Sequence, residues 1–265
     1  MLESLVSFRK INERPFLMFF WAFFVCLIAV FISNELNMSI GVDGGFMTVV
    51  FTMIPAAIFI TSLINKEEEL EERALKRRIK MGFWGRHGKD VLVLLFFFFG
   101  LTAAFSLTYV VLPDGFYVSQ TTKIDQILGL TGNVTGLGTD QRTAFMQTIF
   151  FNNINVLLFS FFFSFIFGAG AVFIISWNAS VLGVRIGQLS ESAWHIPLRT
   201  LPYLPHGILE IGGYLCAALA GGLLSAAFVR KNNGKILQAI TVDCTKIALL
   251  GVALVFLGAA VESYL

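Results

Sequence analysis

Seven stretches of this chain, at residues 16–33, 46–64, 91–112, 144–166, 170–187, 206–229 and 246–265, are predominantly apolar over about the length of a membrane-spanning helix. At about 1.5 Å per residue, some 20 residues cross a hydrocarbon core of roughly 30 Å. Lipid offers the backbone no hydrogen-bond partners, so each run is confined to helix. Composition points the same way. Hydrophobic residues make up 56% of the chain and charged residues 14%, with a mean hydropathy of +0.78. A soluble domain averages about 45–50% apolar and about 25% charged. Phenylalanine runs such as Phe96–Phe99 and Phe161–Phe163 suit lipid-facing surfaces. The expected fold is all-α, a polytopic transmembrane bundle. Cys26, Cys216 and Cys244 are odd in number and far apart, and read as small apolar residues rather than as a disulfide framework or a zinc site.

Charge sets the expected orientation. The first run follows Arg9, Lys10 and Arg14, as in a signal peptide, but it is too long for an h-region and lacks a small-residue cleavage site. It reads as a retained helix, preceded by a short interfacial helix ending at Pro15. The loop 34–45 carries Glu35 and Asp43 and no Lys or Arg. Residues 66–90 carry eight Lys and Arg, with an acidic lead from Glu67 to Glu72, and read as a charged helix continuing from the second run. Positive-inside places this segment in the cytoplasm as a solvated linker, the alternative being a docking surface for a partner or anionic lipid. Residues 113–142 read as a Gly/Thr-rich outer loop, in which Asn133-Val134-Thr135 fits a glycosylation acceptor.

Residues 143–188 decide the topology. They form one crossing, or two joined at Phe167-Gly168-Ala169-Gly170, where small residues suit a tight turn. Two crossings put fifteen of the nineteen Lys and Arg on the cytoplasmic side and one crossing puts thirteen there. The expectation is therefore seven helices in the cell membrane, with the N-terminus cytoplasmic and the C-terminus outside.

That topology gathers polar residues. His206 and Glu210, four apart, stack on one face of an apolar helix, and ionisable groups at membrane depth usually face a protein interior or a wet cavity. Asn152, Asn153, Asn155, Asn178, Arg185 and Glu262 are expected near them in the outer half. The candidate binding residues are His206, Glu210, Asn152, Asn153, Asn178 and Glu262. Three uses are open. The first is structural, with asparagines bridging helices and Gly213, Ala217, Gly221 and Ser225 allowing close packing. The second is a metal site on His206 and Glu210, though the second histidine of H-E-x-x-H is missing, so the metal is unknown. The third is a cavity for a lipid, a lipid-linked sugar or an ion. There is no phosphate-binding loop, no nucleophile elbow and no pair of interrupted helices of the transporter kind. Gly183 and Gly187, four apart, read as a packing surface. His195 reads as exposed in an outer loop 188–205 bracketed by Pro197, Pro202 and Pro205.

These residues resemble the stage II sporulation protein M family of integral membrane proteins. The likeness rests on Asn152-Asn153 before an apolar run, on Trp177-Asn178 with Gly183 and Gly187, on Pro205-His206-Gly207-x-x-Glu210 with Gly221 and Gly222 beyond it, and on Ala260-Val261-Glu262. Ala179 stands where the family has glycine. The likeness covers residues 91–265 as a five-helix core. Residues 1–65 then form an added N-terminal transmembrane hairpin, and 66–90 the charged cytoplasmic linker. No catalytic activity is established for the family, and its name-giving member works with peptidoglycan hydrolases at a septal membrane. The resemblance implies a non-enzymatic protein that scaffolds or recruits an envelope-remodelling complex, without a cofactor. The expected partners are membrane lipids and envelope or cell-wall remodelling proteins. Nucleic acid is not expected, and a homo-oligomer is compatible. The competing expectation is a transporter, flippase or intramembrane metal-dependent hydrolase using the same cluster.

Overall fold

The computed structural model describes residue 11 and residues 14–76, 83–112, 115–131, 139–167, 171–229 and 234–264. No strand occurs among the described residues. The helices are α1 (Leu17–Ile40), α2 (Gly44–Lys76), α3 (Phe83–Val111), α4 (Val118–Thr131), α5 (Thr139–Phe167), α6 (Ala171–Gln188), the short α7 (Ile196–Thr200), α8 (Leu204–Val229) and α9 (Gly234–Tyr264). Six are long and apolar enough to cross a membrane: α1, the first part of α2 (Gly44–Ser62), the Val91–Val111 part of α3, α5, α8 with its lead-in, and α9. The expected fifth crossing, α6, is a helix but is not among them, because Trp177, Asn178, Arg185 and Gln188 lower its hydropathy. The protein is thus an all-helical, multi-pass membrane-type bundle.

Several expected boundaries move. Residues 113–142, expected as an irregular loop, contain the 14-residue helix α4. Residues 188–205, expected as an outer loop, are wound into α7 flanked by single 3-10 turns at Ala193–His195 and Leu201–Tyr203, so α8 has a helical lead-in. The last helix begins at Gly234 rather than 246. The charged segment does continue the second run, α2 being described as far as Lys76. The Gly168-Ala169-Gly170 break, the Asn133-Val134-Thr135 motif and the interfacial helix before residue 11 lie outside the described residues.

Two helix starts share one cap. Gly41, at a φ of 70°, ends α1 in the left-handed conformation that glycine adopts cheaply, and its N–H donates to the Asn37 carbonyl. Two residues later, Asp43 Oδ1 accepts from the Phe46 N–H at 2.8 Å at the start of α2. Its Oδ2 accepts from the Ser119 N–H at 2.8 Å and the Ser119 hydroxyl at 2.6 Å at the start of α4. A carboxylate suits two helix N-termini because both present unpaired N–H groups and positive dipole ends. Gly45 donates to the Phe116 carbonyl, and any side chain on Gly44 would strike the Phe116 ring. The α4 lead-in is thereby drawn into the bundle, where Phe116, Tyr117 and Gln120 are buried. Tyr117 bonds to Thr108 at 2.6 Å and Gln120 donates to Ser180 at 3.2 Å.

The register of the helices follows from close contacts. A Cβ on Gly183 would lie 2.6 Å from the Phe105 Cβ, and one on Gly187 would lie 2.7 Å from the Tyr109 Cβ, so α3 and α6 run side by side in the same direction. This is the packing role expected of that glycine pair. Along α5 and α8, Asn153 meets Glu210, the Phe161 carbonyl meets Gly221, and the Phe165 ring meets that of Phe228. These two helices are parallel as well. Helices α8 and α9 are antiparallel: a Cβ on Gly213 would lie 2.7 Å from the Gly251 carbonyl, and one on Gly258 would lie 2.6 Å from the Glu210 Cγ. The largest core joins α1 (Met18, Cys26), α3 (Phe97, Leu101, Phe105), α4 (Ile124), α6 (Val172, Ala179) and α8 (Leu215).

Candidate functional site

The polar cluster sits where α5, α8 and α9 meet. Glu210 enters the first turns of α8, held there by Gly258 of α9, which leaves no space for a side chain between the two helices. One Glu210 oxygen, Oε1, accepts from the Asn153 amide at 2.6 Å. The carboxyl groups of Glu210 and Glu262 are hydrogen-bonded to each other, and such a bond needs one proton between them. Three helices distant in sequence are therefore joined through one carboxyl group. Asn153 is buried, whereas Glu210, Glu262 and His206 are half-buried.

The remaining expected residues are arranged around this centre. Asn152 is exposed and reaches Asn153 with its amide at 3.4 Å, a long bond that extends the polar chain outward. His206 lies one turn before Glu210. Its ring packs edge-on to Tyr203 at a 6.0 Å centroid distance, and its carbonyl faces Gly258. Asn178 is not drawn in. Its amide donates to the Ile174 carbonyl of its own helix at 2.7 Å. Asn155 is exposed, and Arg185 reaches only Gln188, at 3.5 Å.

Two features were missed in the sequence. Tyr214 is buried one turn after Glu210 on α8. The i,i+4 spacing that singled out His206 and Glu210 also predicts this neighbour. Asp43 was noted only as a loop acid, although an aspartate directly before Gly44-Gly45 is an N-cap signal. Among the described residues, no group of three or more His, Cys, Asp and Glu side chains lies together.

Residues 91–265 match the family described as stage II sporulation protein M. The chain belongs to that family. In this stage II sporulation protein M relative, the matched region takes in the spanning part of α3 and all of α4 to α9, so Asn153, Glu210, Tyr214 and Glu262 lie inside it while α1 and α2 precede it. An uncharacterized protein of Methanocaldococcus jannaschii is also similar, with 28% identity over 122 residues, covering 44% of this chain and 68% of that protein. No solved structure matches the chain.

Proposed function

We propose that this protein is a non-enzymatic membrane scaffold that holds or recruits components of an envelope-remodelling complex, with the Asn153–Glu210–Glu262 cluster as the lock of its α5–α8–α9 face. The observation that carries this reading is the way Glu210 is used. Its oxygens face an asparagine and a second carboxyl, and its stem is wedged against Gly258. A group engaged in that way fixes helices, whereas a transporter or hydrolase needs the same group free for a substrate. Envelope or cell-wall remodelling proteins and membrane lipids are the proposed partners. The proposed division is a hairpin (1–65), a charged linker (66–90) and a core (91–265), the last coinciding with the residues that match the family.

The topology within this proposal has seven crossings, with α6 as the fifth, the N-terminus cytoplasmic and the C-terminus outside. Support comes from α6 lying parallel to α3 with Gly183 and Gly187 against it, which gives α6 the depth of a spanning helix. The cluster then lies in the outer half, where outer-surface partners can sense it. Cysteine labelling separates the topologies. A Lys235→Cys chain reacts from the cytoplasmic side and a Ser39→Cys chain from outside, and labelling of both from one side removes the seven-crossing topology. For function, Glu210→Ala changes which envelope proteins are recovered with the chain after cross-linking in its membrane. Turnover of a lipid-linked or peptide substrate by the purified protein, lost in Glu210→Ala, would replace the scaffold reading with an enzymatic one.

A further inference from the structure

The helical path that ends in α8 begins at Ala193 and runs to Val229, 37 residues in all. At about 1.5 Å per residue it is roughly 55 Å long, against roughly 30 Å of hydrocarbon. Part of it therefore lies outside the hydrocarbon. The unbroken buried stretch, Ile211 to Leu223, is nearer the far end, so most of the surplus is the lead-in, residues 193–203. The lead-in is not covered by the protein. Trp194 is 89% exposed, Leu198 63% and Leu201 55%. They follow one another at spacings of four and three, which puts them on one side of a helix, and the exposed Ile208 of α8 continues the same line. Ile196, Thr200 and Tyr203 are half-buried on the opposite side, and α7 packs back against α6.

A second short helix at the same end of the bundle shows that this exposure is particular to the lead-in. Helices α3 and α6 run in the same direction, with Gly187 against Tyr109 near their ends, so α4 after α3 and the lead-in after α6 emerge together. The exposed side of α4 presents Thr122, Asp125 and Gln126, with Val118 and Leu128 only towards its ends, and that side suits water. The lead-in presents a tryptophan and two leucines instead. At the edge of its apolar line Arg199 is exposed, its guanidinium bonded to no described residue. A Trp/Leu face flanked by a cation is the composition of a helix lying in the plane of a membrane surface. Tryptophan favours the headgroup level, and the arginine fork matches a phosphate. Continuity names the occupant: the lipid that flanks Ile208 on α8 flanks the same line in the turns before it.

We infer that residues 193–203 are a membrane-surface anchor, with Trp194, Leu198 and Leu201 among the upper acyl chains of the bilayer and Arg199 on lipid phosphate. Tyr203, on the protein side of the anchor, packs against His206 at a 6.0 Å centroid distance, and His206 lies one turn before Glu210. The bilayer thereby holds the start of the helix that carries the carboxyl cluster. The inference needs only the multi-pass membrane fold. It depends neither on the scaffold reading nor on which side of the membrane this end of the bundle faces.

The test uses the full chain in vesicles of mixed phosphatidylcholine and phosphatidylglycerol. The native cysteines Cys26, Cys216 and Cys244 are buried, so a nitroxide label goes onto Leu198→Cys and, for comparison, onto Thr122→Cys of α4. Both positions are exposed, so neither substitution empties the core. Oxygen concentrates in acyl chains and a nickel chelate stays in water. The ratio of oxygen to nickel collisions is expected to be several-fold higher for the Leu198 label than for the Thr122 label. Adding Arg199→Glu is expected to raise the nickel collisions of the Leu198 label several-fold, whereas Arg199→Lys, which keeps a cation for the phosphate, leaves them unchanged. Equal ratios at the two positions overturn the inference, because the lead-in then stands in water. A Leu198 label shielded from both reagents also overturns it, since a protein surface then covers the face. Arg199→Glu without effect overturns the phosphate contact.

Discussion

Helices α1, α2, α3, α4 and α6 are held together differently from α5, α8 and α9, although both groups lie in one apolar chain. In the first group, large side chains interlock: Met18, Phe97, Leu101, Phe105 and Phe116 are all fully buried. The buried hydroxyls of α3 are satisfied at short range, with Thr102 bonding to the Phe98 carbonyl, Ser106 to Thr102 and Thr108 to Ala104. In the second group, backbones approach through Gly213, Gly221, Gly251 and Gly258, and an ionisable pair is satisfied only across helices. Lipid tails are as apolar as a phenylalanine, so burial alone does not choose between neighbouring helices in a membrane. Interlocking rings, with Gly100 and Gly183 letting backbones close in, decide in the first group. In the second, glycine contacts are joined by a shared carboxyl contact. A polar bond that cannot be made inside one helix specifies a partner helix, as Gln120 with Ser180 does in the first group and Asn153 with Glu210 in the second.

If shape holds the first group, Phe97→Ala gives the largest loss, about 3–5 kcal/mol, because a fully buried ring leaves a cavity that neighbours fill only in part. Reversible unfolding in mixed micelles of increasing SDS content measures it, and a loss under about 1 kcal/mol would mean that this half is not close-packed. Next comes Asp43→Ala. It removes the cap of α2 and of α4 together, at about 2 kcal/mol in all, and frees the α4 lead-in. Hydrogen exchange is expected to quicken at the amides of Phe46 and Ser119 together. Quickening at one alone would show that the two starts are not joined.

Smaller effects test the second group. Glu262→Leu is expected to cost about 1–2 kcal/mol, since it strips the half-buried Glu210 of one hydrogen-bond partner. Glu262→Gln keeps a donor for that carboxyl and is expected to cost less than about 1 kcal/mol. Equal losses for the two would show that the pair acts through packing alone. The smallest change is Asn178→Ala, at about 0.5 kcal/mol or less, because its amide bonds only within its own helix. A loss as large as that of Glu262→Leu would tie Asn178 to the cluster after all.

Spans, charge asymmetry and close-packing glycines could all be read from the chain, because each is a local property. An apolar run either covers the membrane thickness or does not, and glycines four apart lie on one helix face whatever they meet. The i,i+4 rule likewise put His206 and Glu210 on one face, with Tyr214 a further turn along it. Rotation about the helix axis was not local. Whether Asn153 or Asn155 faces Glu210 depends on how α5 is turned, and packing of Phe161 and Phe165 against α8 turns Asn153 inward and leaves Asn155 outside. Asn178 shows the same limit, since α6 turns Gly183 and Gly187 to α3 and carries Asn178 away from the glutamates. The joining of Asp43 to Ser119, 76 positions apart, could not be read locally either. The sequence by itself determined a helical membrane bundle with a carboxyl on α8. Tertiary structure alone decided which neighbours that carboxyl meets, because a lone helix buries none of its own faces and only packing against others selects one.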